Sequence, residues 1–159
     1  MAVVLPALPV LVPLLTAVAL VMVGRRPRLQ AGVSLAGAGG LFAAAVALLR
    51  TVQATGPLSV AFGNWPAPFG IEFTADLLGA AMTLLAAAAA LAVLLFRFSD
   101  AGEGADSPQL LPLVHLLLAG VGGAFLTADL FNLYVWFELT LICALGLMVR
   151  RAAVRDLEA

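Results

Sequence analysis

Glu138 is a carboxylate set inside an apolar run, with Tyr134 four residues before it and Asp129 nine residues before it. Nine residues of α-helix advance roughly 13 Å, so a membrane helix starting near Asp129 carries Glu138 close to the middle of a hydrocarbon layer about 30 Å thick. A charged side chain there costs about 2.5–3.5 kcal/mol on insertion scales. Such acids are rare and serve proton relays in pumps and transporters, because a carboxylate held between its two forms takes a proton from one side and releases it to the other. The structural alternative is a permanently neutral Glu138, hydrogen-bonded to a neighbouring helix. On the first reading, the remaining apolar segments are walls that keep Glu138 away from lipid.

Other polar residues could extend a proton pathway. Asp129 follows Thr127-Ala128, and it either caps a helix whose first N–H groups need an acceptor or lines an outer approach to Glu138. Asn132, about one turn further, would extend that polar approach. Tyr134 shares a helix face with Glu138 and is either its hydrogen-bond donor or a packing residue. Phe131, Trp136 and Phe137 crowd the same half of the segment as belt and packing residues. His115 is the sole histidine. It is a satisfied packing residue or a relay, since an unperturbed imidazole titrates near pH 6.5, about where protons are exchanged. Glu72 and Asp76 are four apart and would share one face of a helix, favoured as anions by its N-terminal dipole or serving as an ion entrance. One His without partners at ligand spacing makes no metal site. Nucleophile sets, phosphate-binding glycine loops and haem-ligating His pairs are missing as well.

These residues sit in a chain that is 64% hydrophobic and 11% charged over 159 residues. Globular domains carry about 25% charged residues, so the composition is that of an integral membrane protein. Five windows of about twenty residues, 3–24, 31–49, 77–96, 110–128 and 130–149, predict an all-α fold of about five transmembrane helices in one membrane domain, 1–159. Pro13 removes an interior hydrogen bond from the first and predicts a kink. In the second, Gly32, Ala36, Gly40 and Ala44 form a row at four-residue spacing that reads as a packing seam. Trp65 and Phe69, among the turn-forming residues 63–70, suit an interfacial belt. The segment 99–109, with Asp100, Glu103 and Asp106, reads as a solvated loop. The glycines between Ala119 and Ala124 mark close helix contact in the fourth window. Cys143, the lone cysteine, excludes an internal disulfide and reads as a buried small residue.

Charge sets the orientation and narrows the partners. All eight basic residues are arginine. With the N-terminus outside, Arg25, Arg26, Arg28, Arg97, Arg150, Arg151 and Arg155 fall on the inner side and Arg50 on the outer, which predicts N-out and C-in. The formal net charge of −1 says nothing about nucleic acid, but the sequence has no basic patch to bind it, so no nucleic-acid partner is expected. An uncharged stretch precedes the first arginines, the reverse of a secretory signal, so the first window stays as a span.

The residues Gly63-Asn64-Trp65-Pro66-Ala67-Pro68-Phe69-Gly70-Ile71 with Asp76, the opening Leu8-Pro9-Val10-Leu11-Val12-Pro13-Leu14, and the run from Gly123 through Thr127-Ala128-Asp129-Leu130-Phe131-Asn132 to Glu138 carry a resemblance. Together they resemble the D subunit of the Mrp-type multisubunit sodium(cation)/proton antiporters, which is similar to the antiporter-like subunits of respiratory complex I. The resemblance covers nearly the whole chain. It implies that Glu138 matches the essential glutamate of the family's fifth helix, which is modulated by a lysine on a later helix. This sequence contains no lysine, so the chain matches the N-terminal part of that protein and lacks the later helices.

The expectation is therefore the N-terminal portion of a proton-translocating antiporter subunit in the cell membrane, a transporter rather than an enzyme. Its partners would be other membrane subunits, the lipid bilayer, protons and a monovalent cation. No cofactor is expected. Glu138 would exchange protons, with Asp129, His115, Tyr134 and Asp76 as pathway candidates. Two other readings stay open: a non-transporting assembly subunit with Glu138 neutral, and a proton-channel subunit of a complex I-type oxidoreductase.

Overall fold

The computed structural model describes residues 4–61, 70–99 and 109–157, with side chains described to residue 149. A short 3-10 turn, Leu5–Ala7, leads into α1 (Leu8–Val23), then α2 (Pro27–Thr55), β1 (Leu58–Ala61), β2 (Glu72–Ala75), α3 (Leu77–Ser99), α4 (Leu110–Leu126) and α5 (Leu130–Leu157). Trp65 and Phe69 lie outside the described residues, as does nearly all of the acidic segment around Asp100, Glu103 and Asp106.

The fold is mostly helical, and it departs from the expectation in two places. Four stretches, Leu5–Val23, Pro27–Thr55, Leu77–Ser99 and Leu130–Val149, are long and apolar enough to cross a membrane. The fourth predicted helix stops at Leu126 and has 17 residues, because Thr127 takes up an extended conformation and pairs with a strand. The all-α expectation also misses a two-stranded antiparallel hairpin, Leu58 opposite Ala75 through Ala61 opposite Glu72. In β2, Phe73 and Ala75 are buried while Glu72 and Thr74 are less so. That alternation, together with the Gly/Pro-rich residues before it, is the signature of a hairpin strand. Glu72 is therefore in a strand and does not share a helix face with Asp76.

α4 is the central helix, with α1, α3 and α5 all packed against it, while α2 packs on α1 and α3. Its glycines make this close packing feasible. Pro13 has no N–H to offer the Pro9 carbonyl, and Gly122 lies against that carbonyl, so closely that a Cβ would sit 3.2 Å from the oxygen. At Gly123 a Cβ would collide with the Trp136 indole of α5, and at Gly120 with Thr140. α2 is 29 residues long, starting earlier and ending later than expected. Its packing stripe is Gln30, Ser34, Ala38, Leu41, Ala45, Leu48 and Val52. Of the expected small-residue seam only Ala44 is buried, and Gly32, Ala36 and Gly40 are more open. A strict four-residue row drifts about 40° around the helix per step, whereas alternating three- and four-residue steps stay on one face.

Candidate functional site

α5 carries two faces with opposite environments. Asn132, Trp136, Thr140 and Cys143 recur at helical spacing and lie toward the bundle, with Asn132 at 4% and Cys143 at 2% exposure. Cys143 is a buried free thiol, as expected of a small packing residue. Trp136 lies in the slot left by Gly123, and its ring stands 6.0 Å from that of Phe73, tilted by 54°. Such a tilted pair is a favourable aromatic geometry. A cavity of about 220 Å³ between α1, β2 and α5 is bounded by Leu11, Leu14, Phe73, Asn132 and Trp136.

The opposite face holds the acid. Tyr134 Oη donates to Glu138 Oε1 at 2.5 Å, an i to i+4 bond along α5, which is short as expected for a hydroxyl meeting a carboxyl group. Both side chains are exposed, as are Phe131, Phe137, Leu141, Ile142 and Leu145. The four other helices therefore do not wall off Glu138. The reason is rotational: Trp136 and Glu138 are two residues apart, about 200° around a helix, so seating one in the bundle turns the other away.

The helix starts carry the other acids. Asp76 Oδ1 accepts the Gly79 N–H at 2.6 Å, three residues into the α3 start, which is N-capping geometry. Asp129 Oδ1 accepts the Phe131 N–H at 3.0 Å and caps α5 in the same way. Asn132 does not line an approach beside Asp129. It is buried, with Nδ2 donating to Thr127 Oγ1 at 2.8 Å.

His115 is separate from this set. It is fully buried in α4, with Nε2 3.0 Å from Ser34 Oγ of α2. Among the described residues no hydrogen bond joins it to Tyr134 or Glu138. Thus the structure brings Tyr134 and Glu138 together, sets Asp76 and Asp129 at the starts of α3 and α5, and seats His115 between α2 and α4. Sequence reasoning missed Ser34 as the partner of His115 and Thr127 as the partner of Asn132. The available signal was Ser34 one turn after Gln30 on α2, the two polar side chains in the otherwise apolar stretch from Leu29 to Leu49. Among the described residues no group of three or more His, Cys, Asp or Glu could hold a metal ion.

No family model matches the chain. It is 37% identical over 142 residues to the D subunit of the Na(+)/H(+) antiporter of Alkalihalophilus pseudofirmus, covering 89% of this chain and 29% of that protein. It is 40% identical over 151 residues to the D subunit of a probable K(+)/H(+) antiporter of Rhizobium meliloti, covering 89% of this chain and 27% of that protein. Among solved structures, the Mrp complex from Dietzia sp. DQ12-45-1b superposes with a TM-score of 0.83 at 38% identity, over 92% of this chain and 27% of that one. The chain is a relative of the Mrp antiporter D subunit. It spans under a third of the length of the D subunits it matches. Like these relatives it is a membrane protein, with several helices apolar enough to span a bilayer.

Proposed function

We propose that these helices form the N-terminal portion of a proton-translocating subunit of a monovalent cation/proton antiporter, with Glu138 as the proton-exchanging carboxylate. The observation that carries this reading is the Tyr134–Glu138 pair, deep along α5 and facing out of the bundle, in a relative of the Mrp D subunit. A carboxylate in that place needs a polar lining on its open side if it is to exchange protons in a bilayer. That lining would come from further helices packed on α5. The modulating lysine that the resemblance implies would sit there, since none of the 159 residues here is lysine. Other membrane subunits of a multisubunit complex are the natural partners, and the substrates are protons with a monovalent cation.

The arginine distribution supports an N-out, C-in orientation with α4 as a fifth span, its 17 residues being at the lower limit for crossing. In that orientation Asp76 and Asp129 both lie at the outer edge. Their primary work is to cap α3 and α5, and Asp129 opens the approach to Glu138. His115 lies toward the inner edge and takes no direct part in exchange at Glu138.

Cation-dependent proton flux in vesicles containing the complete complex tests the proposal. Glu138→Gln should abolish flux while the complex still assembles. Wild-type flux in that variant would sink it. The apolar, exposed remainder of the α5 face, with Leu141, Ile142 and Leu145, favours a second reading as a non-transporting assembly surface. Loss of assembly in Glu138→Gln would select that one.

A further inference from the structure

We infer that Asn132 and Thr127 form a latch that sets the rotation of α5 about its own axis, and with it the direction of Glu138. The inference rests on the reading of Glu138 as the exchanging carboxylate. Asn132 Nδ2 donates to Thr127 Oγ1 at 2.8 Å, and the amide is buried in the first turn of the helix. Thr127 is itself held from the other side. Its backbone bridges Phe73 of β2, and the next residue, Ala128, donates its N–H to the Glu72 carbonyl at 3.0 Å. The latch therefore fastens the start of α5 to the hairpin as well as to α4.

Rotation is the quantity that such a fastening controls. Tyr134 follows Asn132 by two residues and Glu138 follows Trp136 by two, each about 200° around the helix. Turning α5 enough to break the Asn132–Thr127 bond turns Tyr134 and Glu138 through the same angle. Between helices in lipid there is no strong hydrophobic force to resist that turn, whereas a directional hydrogen bond does. The Trp136 ring in the Gly123 slot fixes the second turn of α5, and the latch fixes its first. Asn132 and Thr127 are thus positioning residues that act through Glu138.

The test uses the complete complex in vesicles. Thr127→Val and Asn132→Leu delete the hydrogen bond with little change of shape, and Thr127→Ser keeps the hydroxyl. A rotational readout comes from disulfide formation between Leu113→Cys and Gly146→Cys in a Cys143→Ala background, because Leu113 Cδ1 lies 3.4 Å from the place where Gly146 would carry a Cβ. Thr127→Val and Asn132→Leu should lower the maximal cation-dependent flux on the order of tenfold, as expected when a reacting group is misplaced. The cation concentration for half-maximal flux should stay unchanged, and cross-linking should slow. Thr127→Ser should keep both wild-type values. Wild-type flux and cross-linking in the two deletion variants would overturn the latch. Loss of assembly in both would overturn it too, since the bond is assigned to orientation and not to folding. If Glu138→Gln keeps its flux, the proton reading fails by itself and the cross-linking rate still judges the latch.

Discussion

Tyr134 donates its hydroxyl proton to Glu138 across one turn of α5, and both side chains point away from the helix that α5 packs on. A phenol that donates to a carboxyl group holds that group's rotamer. Tyr134→Phe keeps the ring and removes the donor. It should lower proton flux in the assembled complex, but by less than the loss of about 10²-fold or more expected when the exchanging group itself is removed in Glu138→Gln. Equal losses in the two variants would mean that Tyr134 carries protons and does not merely support the acid. Parallel flux assays at several pH values distinguish the two outcomes.

The two caps separate structure from transport. Asn serves at an N-cap about as well as Asp, and replacement of either by Ala costs about 1 kcal/mol. Asp76→Asn should therefore keep wild-type stability and flux, while Asp76→Ala lowers the thermal midpoint of the purified complex. Flux lost in Asp76→Asn with stability intact would instead assign the carboxylate to an ion entrance.

The Gly123 slot admits no side chain. Gly123→Leu forces the Trp136 indole out, and overpacking of this kind costs about 1–3 kcal/mol. Thermal stability should fall accordingly. The double variant Gly123→Leu with Trp136→Ala should recover part of the loss, because the new side chain occupies space that the indole vacates. A double variant no better than the single one would show that the glycine serves backbone approach alone.

Ser34 and His115 form a buried pair, 3.0 Å apart, between α2 and α4. Hydrogen bonds between membrane helices contribute about 0.6–2 kcal/mol. Ser34→Ala should destabilise by that order and leave flux near wild type. Pairing it with His115→Leu should restore much of the stability, since both polar groups are then gone. Flux lost in the restored double variant would identify His115 as a relay.

Position along α5 was legible in the chain and direction was not. The spacing from Asp129 to Glu138 gives the axial position of the acid, because helical rise is constant. The capping role of Asp129 was also within reach, since a helix start needs an acceptor. The hairpin was harder to read. Glu72-Phe73-Thr74-Ala75 alternates over four residues only, and its partner Leu58-Ser59-Val60-Ala61 lies across a Gly/Pro-rich stretch. The packing stripe of α2 was misplaced for a related reason: among so many small and apolar residues, composition does not say which row is inside.

By itself the sequence determined a membrane protein of long apolar helices, the relation to the Mrp D subunit, and the residues Asp129, Tyr134 and Glu138 on one helix. These follow from composition, local spacing and motif, all of which are one-dimensional. Only the tertiary structure decided which way α5 faces. Its rotation is set by Asn132 on Thr127, Trp136 on Gly123 and Thr140 beside Gly120, contacts between segments that no periodicity within α5 reports. Both faces of α5 are largely apolar, so hydrophobicity cannot choose between them, and the close fit of an indole to a glycine slot can. That fit turns Glu138 outward.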